Sequence, residues 1–292
     1  MSFRFSAFSD EASKVFSEQL TALREEGITR MELRGVDGKN CTELTNAEAK
    51  SARLMLDDNG VALSALGSPY GKFPIDGKFA DHLDAFKRGM ELCHILGAER
   101  VRMFSFFLPK GETNPARYKN KVHDQLHEML LVAEDAGILP VHENEKGIYG
   151  DVTERCLELA EAFSGRMGTA FDPANFIQCG VRPGEAYPVL KPFITYMHIK
   201  DAILGDGSVV PAGCGDGNLP EILNDLAPEG EMILTLEPHL RVFDGLNGLQ
   251  DEEVKHKFSY ASGWDAFAAA AGALRDVLGE IGYKERGGLW TR

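Results

Sequence analysis

Short apolar runs alternate along the chain with longer stretches in which apolar residues recur at helical spacing. Residues 3–8, 28–33, 61–66 and 100–104 read as strands, and 138–141, 167–171, 193–197 and 232–236 repeat the pattern, each bounded by turn residues as buried strands are. Helical patterns fill the intervals at 13–26, 46–58, 79–96, 115–136, 152–163, 184–190 and 220–226, and a last one covers 265–278. Thr45-Asn46-Ala47-Glu48 has the form of a capping box, and Gly60 stands where it would close the helix that the box opens.

Strands separated by helices imply parallel pairing, and eight such units predict closure into a (β/α)8 TIM barrel. No Pro/Ser-rich linker divides the chain, so residues 1–292 are expected to form one α/β domain. An open doubly wound sheet would carry a glycine fingerprint after its first strand, where this chain has Phe8-Ser9-Asp10-Glu11.

The last four strands before the final helix share a feature. Each ends in a residue able to bind a metal: Glu143, Asp172, His198 and Glu237, at spacings of 29, 26 and 39 residues. A barrel of about 250 residues uses roughly 31 per unit, and its chemistry comes from the C-terminal ends of several strands. The four side chains would then share one mouth. Carboxylates crowded there would repel one another, and a cation answers that repulsion. Three oxygen donors and one imidazole suit Mn²⁺, Mg²⁺, Co²⁺ or Zn²⁺. Proline after Asp172 and after Glu237 favours the extended backbone that a strand-terminal ligand needs.

Composition narrows the partners. A net charge of −14 with no basic run argues against nucleic acid. Five cysteines without a Cys-x-x-Cys pair suggest reduced thiols, hence a cytoplasmic setting, and the longest apolar run, 266–274, is too short to span a bilayer. Tail residues 287–292, Trp290 among them, are candidates for packing on a neighbouring subunit of a homo-oligomer.

Strand alternation puts Lys200 on the side of His198, and Glu32 and Arg34 stand at the end of the second strand, so all three are candidate substrate contacts. His142 should point the other way, into packing. Gly213-Cys214-Gly215-Asp216-Gly217 could approach a phosphate or simply make tight turns. Tyr70, Phe104, Phe106 and Phe107 could stack on a sugar or pack a lid. His123 and His127 stand at the i, i+4 spacing of a zinc protease, but on an outer helix and with Asp124 in place of the usual Glu.

Glu143-Asn144, Asp172 with Pro173 and Asn175, His198-Ile199-Lys200-Asp201 and Glu237-Pro238 resemble the xylose isomerase-like TIM barrels, over about residues 3–282. That group includes ketose 3-epimerases, inosose dehydratases and, more distantly, endonuclease IV. The resemblance implies that Glu143, Asp172, His198 and Glu237 bind one divalent metal, with Mn²⁺ favoured, and that Glu143 and Glu237 are the catalytic base and acid. It further implies a small-molecule sugar or sugar phosphate substrate, isomerised or epimerised through a metal-held cis-enediolate. Related ketose 3-epimerases carry His three residues after the ligand Asp, where this chain has Asn175. They carry Arg several residues after the ligand His, where it has Lys200; both positions hold substrate oxygens in those relatives. A dehydratase acting on an inosose or related keto-polyol is the alternative, and an endonuclease IV-like phosphodiesterase a more distant one.

Overall fold

The computed structural model describes residues 2–226, 230–241 and 258–292. Eight barrel strands appear in chain order: β1 (Ser2–Ala7), β2 (Arg30–Leu33), β3 (Ala62–Leu66), β4 (Arg100–Met103), β5 (Leu139–Glu143), β6 (Gly168–Phe171), β7 (Ile194–Ile199) and β8 (Glu231–Leu236). Parallel ladders run without a break from β2 through β3 to β8 and on to β1, and β1 packs beside β2 to complete the curl. The α/β barrel expected from the alternation is therefore present.

Nine helices are found among the described residues: α1 (Phe16–Glu25), α2 (Asn46–Asp58), α3 (Phe79–Leu96), α4 (Lys119–Ala136), α5 (Thr153–Ala162), α6 (Pro173–Gln178), α7 (Pro183–Leu190), α8 (Leu219–Asp225) and α9 (Gly263–Glu280). Thr45 and Glu48 make both bonds of the capping box at α2, and Gly60, at φ +65°, takes the left-handed turn after it. No described helix is long and apolar enough to cross a membrane. Helix α6 was not foreseen: Asp172 caps it by accepting from the Asn175 amide, and Pro173 opens it.

Strand alternation sorts the core into two parts. The main cluster joins the helices to the outward faces of the strands, as with Phe16, Leu23, Met31, Phe171 and Met197. A separate cluster of Ala65, Val141, Ala170 and Tyr196 forms a second layer. Two residues beyond Val141, Ala170 and Tyr196 on the same faces come Glu143, Asp172 and His198. The inward layer thus ends, at the C-terminal mouth, in the metal-ligand types.

The tail folds back on its own barrel. It forms a hairpin, β9 (Lys284–Arg286) and β10 (Leu289–Thr291), and β10 pairs antiparallel with Ser2 and Phe3 of its own β1. The edge of β1 that forms no ladder with β2 offers backbone groups that need partners. Trp290 lies flat on Phe5, with ring centroids 5.4 Å apart and planes 8° from parallel. Trp290→Ala should destabilise the protein by about 2 kcal/mol in urea unfolding; an unchanged midpoint would show that the hairpin is only laid against the barrel.

Candidate metal centre

Register aligns the four strand ends. Glu143 is level with Ala170, two residues short of Asp172; Thr235 is level with His198, two residues short of Glu237. The four side chains are buried, and one ligand atom from each can be chosen so that all lie within 4.8 Å of one another. His198 Nδ1 is the centre of the set. Glu143 Oε1 lies 3.1 Å from it, Glu237 Oε2 3.3 Å and Asp172 Oδ2 4.0 Å. This buried Nδ1 closes no hydrogen bond of its own. A buried ring nitrogen facing three carboxylate oxygens is an arrangement that a hard divalent cation satisfies once the ring gives up its proton.

The far side of every candidate ligand is fixed by the protein. His198 Nε2 meets Glu32 Oε2 at 3.1 Å, and the other oxygen of Glu32 accepts from the Tyr196 hydroxyl at 3.0 Å. Glu32 therefore lies beneath His198 rather than at the mouth, and it holds the tautomer that leaves Nδ1 facing the cluster. Asp172 Oδ1 accepts from the Asn175 amide at 2.8 Å, and Asn175 Nδ2 donates to Glu143 Oε1 at 3.0 Å and to the Asn144 carbonyl at 2.9 Å. The side chains named as candidate substrate contacts are thus bonded to ligands. Arg34 donates to both oxygens of Asp10, at 2.8 and 3.0 Å, to Glu11 at 3.3 Å and to Glu237 Oε1 at 3.1 Å. Lys200 Nζ lies 2.9 Å from Asp172 Oδ2 and 3.3 Å from Glu237 Oε2.

Arg102 was missed. Its Nη1 sits 3.2 Å from Glu143 Oε2 and 3.5 Å from Glu237 Oε1, while the carbonyls of Gly67 and Ser68 accept from the rest of the guanidinium. Phe8 carries Arg34 at 4.4 Å and Arg102 at 4.9 Å from its ring centre, and Phe104 carries Arg102 at 5.1 Å. The cue was an arginine inside an apolar strand, where a charge survives only with a partner. Glu11 and His239 were also missed. Glu11 accepts from the His239 amide at 2.8 Å, and His239 holds a left-handed backbone at φ +45°, two residues after Glu237.

Charge follows from this geometry. Burial alone would raise Glu143, but His198 and Arg102 hold it down at about 2; burial would raise Glu237 too, and Lys200 and His198 hold it well below the ordinary carboxylate range. Burial pushes Asp172 up to about 7 against the pull of Lys200, with Glu143 and Glu237 adding to the rise. Burial would lower His198, yet Glu143, Glu32 and Glu237 hold it well above its ordinary value.

Other expected features fall away from the mouth. His142 points into packing, with Nε2 3.0 Å from the Ser105 hydroxyl. His123 meets Glu158 and His127 meets Arg166 on the outer helix α4. Tyr70 and Phe106 are buried among Phe79, His82 and Phe86. The glycine-rich loop after β7 does bind an anion, but an internal one: amides of Gly213, Gly215 and Gly217 donate to the Asp201 carboxylate at 2.9 to 3.0 Å. A Cβ at Gly215 would collide with Asp201 Oδ1. All five cysteines are free.

A family model described as xylose isomerase-like TIM barrel matches residues 20–257. The chain belongs to this family. Among solved structures this xylose isomerase-like barrel is similar to a D-tagatose 3-epimerase-like protein, at 17% identity over 95% of this chain and 98% of that one, with a TM-score of 0.69. It is similar to the probable 3-DHS dehydratase AsbF of Bacillus anthracis, involved in petrobactin synthesis, at 15% identity over 94% and 99%, with a TM-score of 0.70. It is also similar to an IolI protein with a zinc atom, at 15% identity over 96% and 99%, with a TM-score of 0.72. Comparison with curated proteins finds no match. At these identities the structural likeness speaks to the fold.

One group beside the centre gives a pH test of the network. Burial pushes Glu11 from its ordinary 4.5 up to about 8, against the lowering pull of Arg34. A carboxyl whose folded value is raised binds its proton more tightly in the folded state, so its contribution is full below about 4.5 and is lost as pH rises through about 8. Glu11→Gln keeps an acceptor without the proton. Its melting temperature should therefore gain on the parent's as pH is raised through that window; a difference independent of pH would contradict a protonated Glu11.

Proposed function

We propose that this barrel is a divalent-metal-dependent sugar isomerase or epimerase, with Glu143, Asp172, His198 and Glu237 holding the ion. The observation that carries the reading is the buried convergence of Glu143 Oε1, Asp172 Oδ2 and Glu237 Oε2 on His198 Nδ1. Three carboxylates and one imidazole fit Mn²⁺ best, with Mg²⁺, Co²⁺ and Zn²⁺ also accommodated. Bound there, the ion would polarise a carbonyl and a neighbouring hydroxyl of an open-chain sugar and acidify the carbon between them.

The chain's own residues then divide the proton work. Glu143, held ionised at neutral pH, can accept a proton from that carbon, and Glu237 faces the cluster from the other side. Delivery of a proton by Glu237 on the opposite face would give an epimer, and return of the abstracted proton by Glu143 to the next carbon would give aldose-ketose isomerisation. Arg102 lies against both glutamates and stabilises their charge before the proton moves. Glu32 keeps the His198 ring in register, and burial excludes water from the transfer. An uncharged small-molecule sugar and a sugar phosphate both remain within this reading.

A specific feature favours a second outcome. Arginines at the outer oxygens of both glutamates keep both ionised, so neither arrives carrying a proton to give back. If the proton that Glu143 has taken is passed to a β-hydroxyl, that group leaves as water, and the protein would be a dehydratase of an inosose or related keto-polyol.

Both branches answer to one experiment. The protein supplied with Mn²⁺ is incubated in deuterated water with D-fructose, D-tagatose, D-psicose and an inosose, and products are followed by mass. The isomerase or epimerase reading expects deuterium in one of them without net mass loss, whereas dehydration removes one water. Glu143→Gln and Glu237→Gln should each slow the exchange by about 10²- to 10⁴-fold. Exchange that persists unchanged in both variants would contradict the assignment of the two glutamates.

A further inference from the structure

The three buried cations around the quartet do not hold its oxygens in the same way. Arg34 donates to Glu237 Oε1, and Arg102 lies against Glu143 Oε2 and Glu237 Oε1. These are the outer oxygens, turned away from His198 Nδ1, so both guanidiniums can stay in place with an ion at the centre. Lys200 is different. Asp172 Oδ1 is already taken by the Asn175 amide and Glu237 Oε1 by Arg34, and Lys200 Nζ lies on the two oxygens left over, Asp172 Oδ2 at 2.9 Å and Glu237 Oε2 at 3.3 Å. Those oxygens are the ones that face the imidazole nitrogen.

We infer that Lys200 is a built-in counter-ion standing on two of the metal-facing oxygens, and that a divalent ion enters the centre by displacing its ammonium. The inference rests on the metal reading above and adds a competition to it. An ammonium and a divalent ion on the same two oxygens repel strongly in a buried site. Lysine is suited to yielding, being a compact charge on a flexible four-carbon stem, whereas an arginine fork stacked on Phe8 is not. The backbone beside it is fixed, because the neighbouring Asp201 carboxylate is gripped by the amides of Ala202, Gly213, Gly215 and Gly217. Displacement is therefore a rotation of the side chain alone.

Such a counter-ion accounts for two things together. It lets Glu143, Asp172 and Glu237 be assembled in one buried cluster before any ion arrives, since Lys200 offsets part of their repulsion. It also couples loading to recognition: the released ammonium is left beside the centre, free to donate to an oxygen of the substrate.

Calorimetric titration of the full-length protein with MnCl₂ tests the competition directly. Lys200→Met should bind Mn²⁺ more tightly than the parent, on the order of tenfold, while Lys200→Arg, which keeps the charge, should not gain. Equal or weaker binding by Lys200→Met would overturn the inference. A crystal of the parent soaked in Mn²⁺ supplies a reading that does not depend on any variant folding. Lys200 Nζ should have left hydrogen-bond reach of Asp172 Oδ2, and an ammonium still seated there beside a bound ion would overturn the inference alone. If the parent binds no Mn²⁺ at all, the metal reading itself falls, which separates the two failures.

Discussion

Three carboxylates and an imidazole, buried within a few ångströms of one another, set the constraint that the rest of this molecule answers. Removing a single charge from water costs several kcal/mol even after relaxation, and like charges in one buried cluster add their repulsion. The fold meets that cost with opposite charge placed on every side: Arg34 and Arg102 at the outer oxygens, Lys200 at the inner ones, and His198 itself between Glu143 and Glu32. None of these groups could hold its place on a surface loop. Each is anchored by barrel strands or by the turns that follow them, and both guanidiniums lie against the ring of Phe8.

Much of this was legible in the sequence, and what was not has identifiable causes. The short apolar runs and the helical stretches between them give a barrel, because run length and helix periodicity are local properties. The quartet could be found because each member ends its run and is of ligand type. The positions of Glu32, Arg34 and Asn175 at the site could be guessed, but what they bind depends on distances across the barrel. Glu32 is 166 residues from His198 in the chain and 3.1 Å from it in space. Arg102 escaped notice for the same reason, since its partners Glu143 and Glu237 lie on other strands.

Two local signals carry more than one meaning. Pro173 favours extended backbone at Asp172, and Asp172 is extended, with φ −111° and ψ 109°. The same Asp-Pro pair, with an amide three residues on, is also a helix start, and α6 begins there. The glycines at 213, 215 and 217 signal close approach to an anion, and the anion is the carboxylate of Asp201 rather than a phosphate group. The tail hairpin has no comparable signal: its partner is an edge of β1 that exists only once the barrel has curled.

The account depends most on one claim, that the four strand-end residues bind a single divalent ion. Electron paramagnetic resonance of a Mn²⁺ titration reads this directly, because the sharp signal of the free ion disappears on binding. The account predicts that the signal stays suppressed up to one equivalent in the parent and grows from the first addition in a His198→Gln, Asp172→Asn double variant. Free-ion signal from the first addition in the parent, or full suppression in the variant, would contradict it.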